Sequence, residues 1–228
     1  MCFVGVEKLS LVDFDGYLSI VLFTSQCNMR CLYCQNTKLI LNENKIIPWK
    51  KIKDFLIKNT KKIDAVVITG GEPLIQKKLI ERIKEIKKMG FLIKLDTNGL
   101  KSEKLKNILE NKLVDYVAMD IKNDFKNYNY ITGINGKNIV ENIKKSILYL
   151  KKSKIKFEFR TTIIKEFHNL KNLLEIAKVI KPCEKYVLQH YKYQKECLFR
   201  FNEINKDTAL KYLKNIKKII PNTYLRGY

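Results

Sequence analysis

Arginine, acidic side chains and long apolar runs are all scarce in this sequence. Lys and Arg together number 45 against 23 Asp and Glu, so the formal net charge is +22. Only five of those cations are Arg (Arg30, Arg82, Arg160, Arg200 and Arg226), and the other forty are Lys. Nucleic-acid readers lean on Arg, whose planar fork matches phosphates and guanine edges. Lys spread along every predicted helix reads first as solvated surface, and only second as a face for an acidic partner or nucleic acid. No apolar run approaches the roughly 20 residues that span a bilayer, and the N-terminus lacks a basic region followed by an apolar one. A secreted or membrane-spanning chain is therefore not expected. Hydrophobic residues at 46% argue against disorder. With 4 Pro and 9 Gly among 228 residues, and no segment rich in them, nothing reads as a linker. One domain over residues 1–228 is expected.

Disulfide spacing is missing too. Of the 6 Cys, Cys27, Cys31 and Cys34 crowd together, while Cys2, Cys183 and Cys197 lie far away. Without a secretory signal, clustered thiols read as metal ligands or redox groups in a reducing cytoplasm. Cys183 and Cys197 read as incidental thiols.

What the sequence does have is strand and helix patterns in alternation. Strands are expected at Tyr17–Thr24, Asp64–Thr69, Phe91–Asp96, Tyr116–Ile121, Lys156–Ile164 and Tyr186–His190, with a possible last one at Thr223–Arg226. Residues before Asp15-Gly16 suit a hairpin-like lead-in. Helical spacing marks Lys50–Asn59, Leu74–Met89, a segment capped by Ser102, Asn138–Lys151, Leu170–Ile180 and Lys206–Ile219. A polar loop with several Asn and Tyr is expected from Asn123 to Gly136. Repeated βα units predict a parallel sheet with right-handed crossovers. About six units are visible, fewer than the eight of a closed barrel. The expected fold class is α/β, an incomplete (β/α)6-type barrel, with a flavodoxin-like open sheet as the alternative.

In either architecture chemistry sits at the C-terminal strand ends. Those ends carry the Cys27–Cys34 cluster, Gly70-Gly71-Glu72-Pro73, Asp96, Asp120, Lys122, Arg160 and His190. Thiolates are the preferred ligands of iron–sulfur clusters and of zinc. The spacing CxxxCxxC supplies three ligands rather than four. Three would leave one iron of a cubane open, whereas a structural zinc would need a fourth ligand from afar.

The segment CNMRCLYC (Cys27–Cys34) resembles the signature of the radical S-adenosylmethionine (SAM) enzymes, with Tyr33 as the aromatic before the third cysteine. ITGGEP (Ile68–Pro73) resembles their second motif, whose backbone receives the SAM amino group. LDTNG (Leu95–Gly99), VDYVAMDIK (Val114–Lys122), FEFRTT (Phe157–Thr162) and VLQHY (Val187–Tyr191) resemble a narrower group. These are the activating enzymes of glycyl-radical enzymes, such as those of anaerobic ribonucleotide reductase and pyruvate formate-lyase. The likeness runs from about Leu11 to Tyr191.

The resemblance implies a radical SAM barrel with a 4Fe-4S cluster on Cys27, Cys31 and Cys34, and SAM on its open iron. Tyr33 would flank the adenine, and Gly70 and Gly71 would let the backbone approach the methionine moiety. Glu72 would accept from the SAM amino group or merely start the next helix. Asp96 and Asp120 would lie close together, with Lys122 compensating their charge or reaching the ribose. In some relatives the corresponding acids hold a monovalent cation, so one is implied here as well. Arg160 would serve the SAM carboxylate or ribose, or form a structural salt bridge. His190 would contact SAM. His168 is given no function.

The implied function is an activase that reductively cleaves SAM and generates a glycyl radical on a partner enzyme. Anaerobic ribonucleotide reductase is the first candidate partner, with ferredoxin or flavodoxin as the low-potential electron donor. The alternative is a radical SAM enzyme acting on a small molecule such as a deazapurine or cofactor precursor. A non-catalytic metal or nucleic-acid-binding module is the reading from another class. No membrane partner is expected.

Overall fold

The computed structural model describes residues 1–41, 45–134, 136, 138–195, 197 and 199–228, with the backbone alone at 40 and 41. Strand β1 (Phe3–Ser10) pairs antiparallel with β2 (Ser19–Thr24), which is the expected hairpin-like lead-in. Six crossovers then carry the chain through β3 (Ala65–Gly70), β4 (Leu92–Thr97), β5 (Tyr116–Asp120), β6 (Lys156–Ile163), β7 (Tyr186–His190) and β8 (Thr223–Arg226). From β2 to β8 every pairing is parallel, and strand order follows chain order. The edges β1 and β8 do not pair with each other among the described residues, so the sheet stays open. An α/β fold with an incomplete barrel is thus what the chain forms.

The connecting helices are α1 (Thr37–Leu41), α2 (Trp49–Asn59), α3 (Leu79–Lys88), α4 (Ser102–Glu110), α5 (Tyr128–Thr132), α6 (Ile139–Lys152), α7 (Leu170–Ile180) and α8 (Lys206–Ile216). Strand alternation sorts side chains onto two faces. Outward residues such as Ile68, Leu95, Val117 and Phe159 join the helices in the main apolar core. The inner face carries a smaller cluster, Phe14, Val21, Ala65 and Val67. Toward the C-terminal strand ends that face turns polar, with Thr69, Asp96, Asp120 and Arg160.

Several local expectations change. Ser102 does not cap α4: it lies inside the helix, and its hydroxyl donates to Asn142 Oδ1 at 3.2 Å. The stretch after Glu72 is not yet α-helix, because Pro73–Ile75 forms one 3₁₀ turn before α3 begins. The polar loop beyond Asn123 contains α5, whose C-cap Gly133 adopts φ 62°. Residue 135 of that loop lies outside the described residues.

Candidate functional site

The cysteine loop leaves β2 and is held by its neighbours' backbone. Gly71 N donates to Thr24 O at 2.8 Å, and Glu72 N to Gln26 O at 2.8 Å. On the other side Arg30 N donates to Thr132 O at 2.8 Å and Leu32 N to Ile131 O at 3.2 Å, so α5 clamps the loop. Gln26 takes a left-handed φ of 63° to start it. Cys27, Cys31 and Cys34 all line one cavity of about 210 Å³ at the C-terminal strand ends. None of the three is in a disulfide. Burial pushes the Cys27 thiol up to about 12 and the Cys31 thiol to about 11, and raises Cys34 as well. Such thiols stay protonated until a cation arrives, so loading a metal must displace their protons. Among the described residues, no three His, Cys, Asp or Glu side chains are grouped to hold a single metal ion.

Across the cavity lies a charged constellation. Arg160 donates from Nε to Asp120 Oδ1 at 2.9 Å and from Nη1 to Asp96 Oδ2 at 3.0 Å. Lys122 Nζ donates to Asp120 Oδ2 at 2.9 Å. Burial works against the Asp120 charge, yet Arg160 and Lys122 hold its carboxyl down at about 2. Burial likewise opposes charge on Lys122, and Asp120 overcomes it and keeps the ammonium well above its usual range. Thr69 donates to Asp96 Oδ2 at 3.2 Å. Asp96 Oδ1 is buried without a hydrogen bond, and Lys94 stands off at 3.9 Å. The Tyr33 hydroxyl, on another residue lining the cavity, is buried without a partner too. The turn that follows β4 is formed by Asn98, whose Oδ1 accepts from Leu100 N at 3.0 Å.

Glu72 is 1% exposed and ties two strand ends together. Its Oε1 accepts from Leu74 N at 2.9 Å and Thr97 Oγ1 at 2.7 Å, and its Oε2 from Asn98 N at 2.8 Å. It caps the 3₁₀ turn, the humbler of its two expected roles. Burial outweighs these donors and pushes its carboxyl up to about 7.

The glycine pair also has a physical reason within the fold. A Cβ on Gly71 would sit 1.9 Å from Gln26 O, and one on Gly70 2.5 Å from Thr24 N. The absent side chains make room for the cysteine loop itself. Gly70 also adopts φ 110°, which favours glycine.

Eleven of the twelve expected site residues line this cavity, and His190 does not. Alternation along β7 puts His190 on the face shared with Leu188, away from the inner one. Its Nε2 lies 3.1 Å from Glu203, its Nδ1 3.1 Å from Gly227 O, and its ring 4.3 Å from that of Tyr228. Cys183 lies in the turn before β7 and Cys197 in the loop after it, and among the described residues neither belongs to a group of side chains placed to hold a metal ion. The cavity also holds Thr97 and Asn98, which the sequence puts at a strand end without a role, and Thr69 and Thr162, which it does not single out. Asn98 Nδ2 donates to Asn28 Oδ1 at 2.8 Å and thereby joins β4 to the cysteine loop. Parity from Asp96 and Arg160 would have pointed to Asn98 and Thr162. His168, given no function, is 2% exposed and its Nε2 lies 2.9 Å from Lys122 O.

The family model described as the radical SAM superfamily matches residues 21–180. A candidate glycyl-radical enzyme activating enzyme of Methanocaldococcus jannaschii is 35% identical over 233 residues, covering 97% of this chain and 94% of that one. A pyruvate formate-lyase-activating enzyme of Staphylococcus aureus is 32% identical over 136 residues, 52% of this chain and 51% of the relative. Among solved structures, Streptococcus suis SuiB bound to SAM superposes with TM-score 0.70 at 15% identity, over 91% of this chain and 52% of SuiB, which bears on the fold alone. The open parallel sheet, the three thiols on its rim and the family match over most of the sheet lead to one assignment: this chain is a radical SAM enzyme and belongs to that superfamily, which implies a 4Fe-4S cluster and SAM as its cofactors.

Proposed function

We propose that the chain is a glycyl-radical-enzyme activating enzyme. The observation that carries this reading is the 35% identity to the M. jannaschii relative along 94% of that protein's length. The residues present fit both implied cofactors. One buried and two half-buried thiols on one cavity suit a cationic group, and Asp96 Oδ1 and the Tyr33 hydroxyl offer unused polar partners beside them.

In this reading Cys27, Cys31 and Cys34 hold the cluster. When bound, that cluster and SAM would supply radical chemistry able to take a hydrogen atom from the partner's glycine, with ferredoxin or flavodoxin as the electron donor. The chain's own residues bind and orient. Tyr33 walls the adenine side, while Gly70, Gly71 and the Glu72 strut fix the turn against the cysteine loop. Asp120, Lys122 and Arg160 present a preorganised charge pattern to the ribose and carboxylate. Arg160 and Lys122 together hold the other three oxygens of the two acids, so Asp96 Oδ1 is the oxygen left for a ligand donor or a monovalent cation. The compartment is a reducing cytoplasm, and no described helix is long and apolar enough to cross a membrane.

The test is electron paramagnetic resonance on anaerobic ribonucleotide reductase or another glycyl-radical enzyme from the same source, mixed with reduced protein and SAM. A doublet should appear on the partner and collapse toward a singlet when the glycine α-carbon carries deuterium. If every such partner stays silent while a small molecule is turned over, the activase reading is wrong.

A further inference from the structure

A ladder of aromatic rings climbs from the cysteine loop to the surface. Tyr33, between Cys31 and Cys34, has its ring 6.5 Å from that of Phe167. Phe167 lies 4.7 Å from Phe201 and 6.2 Å from Tyr130. Phe201 is 6.4 Å from Phe199. The ladder opens outward: Tyr33 is 5% exposed, Phe199 53% and Tyr130 69%. Exposed aromatics that adjoin one another are what a soluble surface usually avoids.

Three separate loops build this platform at the C-terminal ends of β5, β6 and β7. Tyr130 rides on α5, which clamps the cysteine loop through Thr132 O and Ile131 O. Phe167 belongs to the β6–α7 loop, and Phe199 and Phe201 to the β7–α8 loop. The last two loops are laced together. Lys165 N donates to Asn202 O at 3.1 Å, and Asn202 donates from N and Nδ2 to Glu166 at 2.9 and 2.7 Å. Glu166 is held by a neutral neighbour and keeps its charge, and Glu203 faces His190 at 3.1 Å. The exposed cations Lys165, Lys192 and Arg200 make no ion pair among the described residues. Around this aromatic centre the described rim thus carries more cations than carboxylates.

Resting on the activase reading, we infer that Tyr130, Phe167, Phe199 and Phe201 form the docking platform for the partner. The occupant is an extended peptide segment with apolar side chains around its glycine and carboxylates at its flanks. Flat rings accept an extended main chain and apolar side chains at low entropic cost, and the cationic rim selects acidic flanks. Because the innermost ring is Tyr33, a segment lying on the platform is led toward the cavity that holds the cysteines.

The test uses the full chain, reconstituted anaerobically, and a labelled peptide Glu-Asp-Leu-Val-Gly-Phe-Leu-Asp-Glu read by fluorescence polarisation. Tyr130 and Phe199 line no part of the cavity, so the double variant Tyr130→Ala, Phe199→Ala should keep partner-free SAM cleavage. It should bind the peptide about tenfold more weakly than wild type. A peptide with Lys in place of its acids should bind neither protein, and a thymidine oligonucleotide should not compete. Equal binding by wild type and variant, no binding to wild type, or competition by the oligonucleotide overturns the platform. Failure of the two readings is separable. Glycyl-radical yield that half-saturates at the same partner concentration in both proteins removes the platform and leaves the activase. Variant-sensitive peptide binding with no radical on any partner keeps the platform and removes the activase.

Discussion

Gly71 shows how one missing methyl group sets the site. Its Cα hydrogen faces Gln26 O, where a Cβ would come within 1.9 Å. The obstacle is backbone, anchored by the Glu72 N to Gln26 O bond at 2.8 Å, so it cannot swing aside like a side-chain tip. Gly71→Ala should push Gln26, and with it Cys27, out of place. The expected cost is about 1–3 kcal/mol, as for other overpacked positions, with iron per chain after anaerobic reconstitution falling well below wild type. Gly90 is the control: its φ is 93° and nothing lies within 4 Å of an added Cβ. Gly90→Ala should cost only the backbone penalty of about 1–2 kcal/mol and leave iron loading whole. A Gly71→Ala protein with full iron and a wild-type urea midpoint would refute the packing role. Glycines in a GGEP string are legible as a turn. That their empty space belongs to a residue 45 positions earlier is not legible, because it depends on how two strand ends meet.

At the scale of elements, legibility followed the strength of local patterning. Helix α7 and strands β7 and β8 have the bounds their sequences predict. For α7 the reason is visible: Asn169 and Asn172 form a reciprocal capping box that fixes its start. Helices α1 and α5, of 5 residues each, are too short to show a period, and their shape comes from tertiary clamps. The link between β5 and β6 was equally hidden. His168 accepts from Ile164 N at 3.2 Å through Nδ1 and lies 2.9 Å from Lys122 O through Nε2, so the neutral ring joins both strand ends. Burial holds its pKa down at about 4 from 6.5. A group depressed on folding stabilises above its unfolded pKa and loses that contribution as pH falls through the folded one. Unfolding free energy should therefore decline between about pH 6.5 and pH 4, by on the order of 3 kcal/mol at 1.36 kcal/mol per unit. His168→Gln should flatten that slope in urea titrations. The same slope in the variant would assign the decline to other groups.

At the scale of the whole molecule the net charge of +22 calls for an account. The structure shows where the rare arginines go. Arg160 holds Asp96 and Asp120, Arg226 holds Glu158, and Arg82 holds Glu81 and Glu85 beneath Trp49. Arg30 donates to Cys27 O and Met29 O at 2.7 and 2.9 Å. Among the described residues Arg200 packs against the Tyr193 ring at 5.3 Å and makes no ion pair. Lysines carry the remaining charge as point cations on flexible stems, which attract phosphates without reading them. Duplex DNA should therefore bind weakly and without sequence preference. In polarisation titrations the logarithm of its affinity should fall linearly with the logarithm of salt, as counterion release requires. Little binding should survive at about 0.15 M ionic strength, where the screening length is about 8 Å. A sequence-selective complex that persists at that salt would show the lysine excess to be a recognition surface. The acidic peptide makes the complementary measurement. Its binding should respond to Tyr130 and Phe199 as well as to salt, because aromatic contact, unlike counterion release, does not vanish as ionic strength rises.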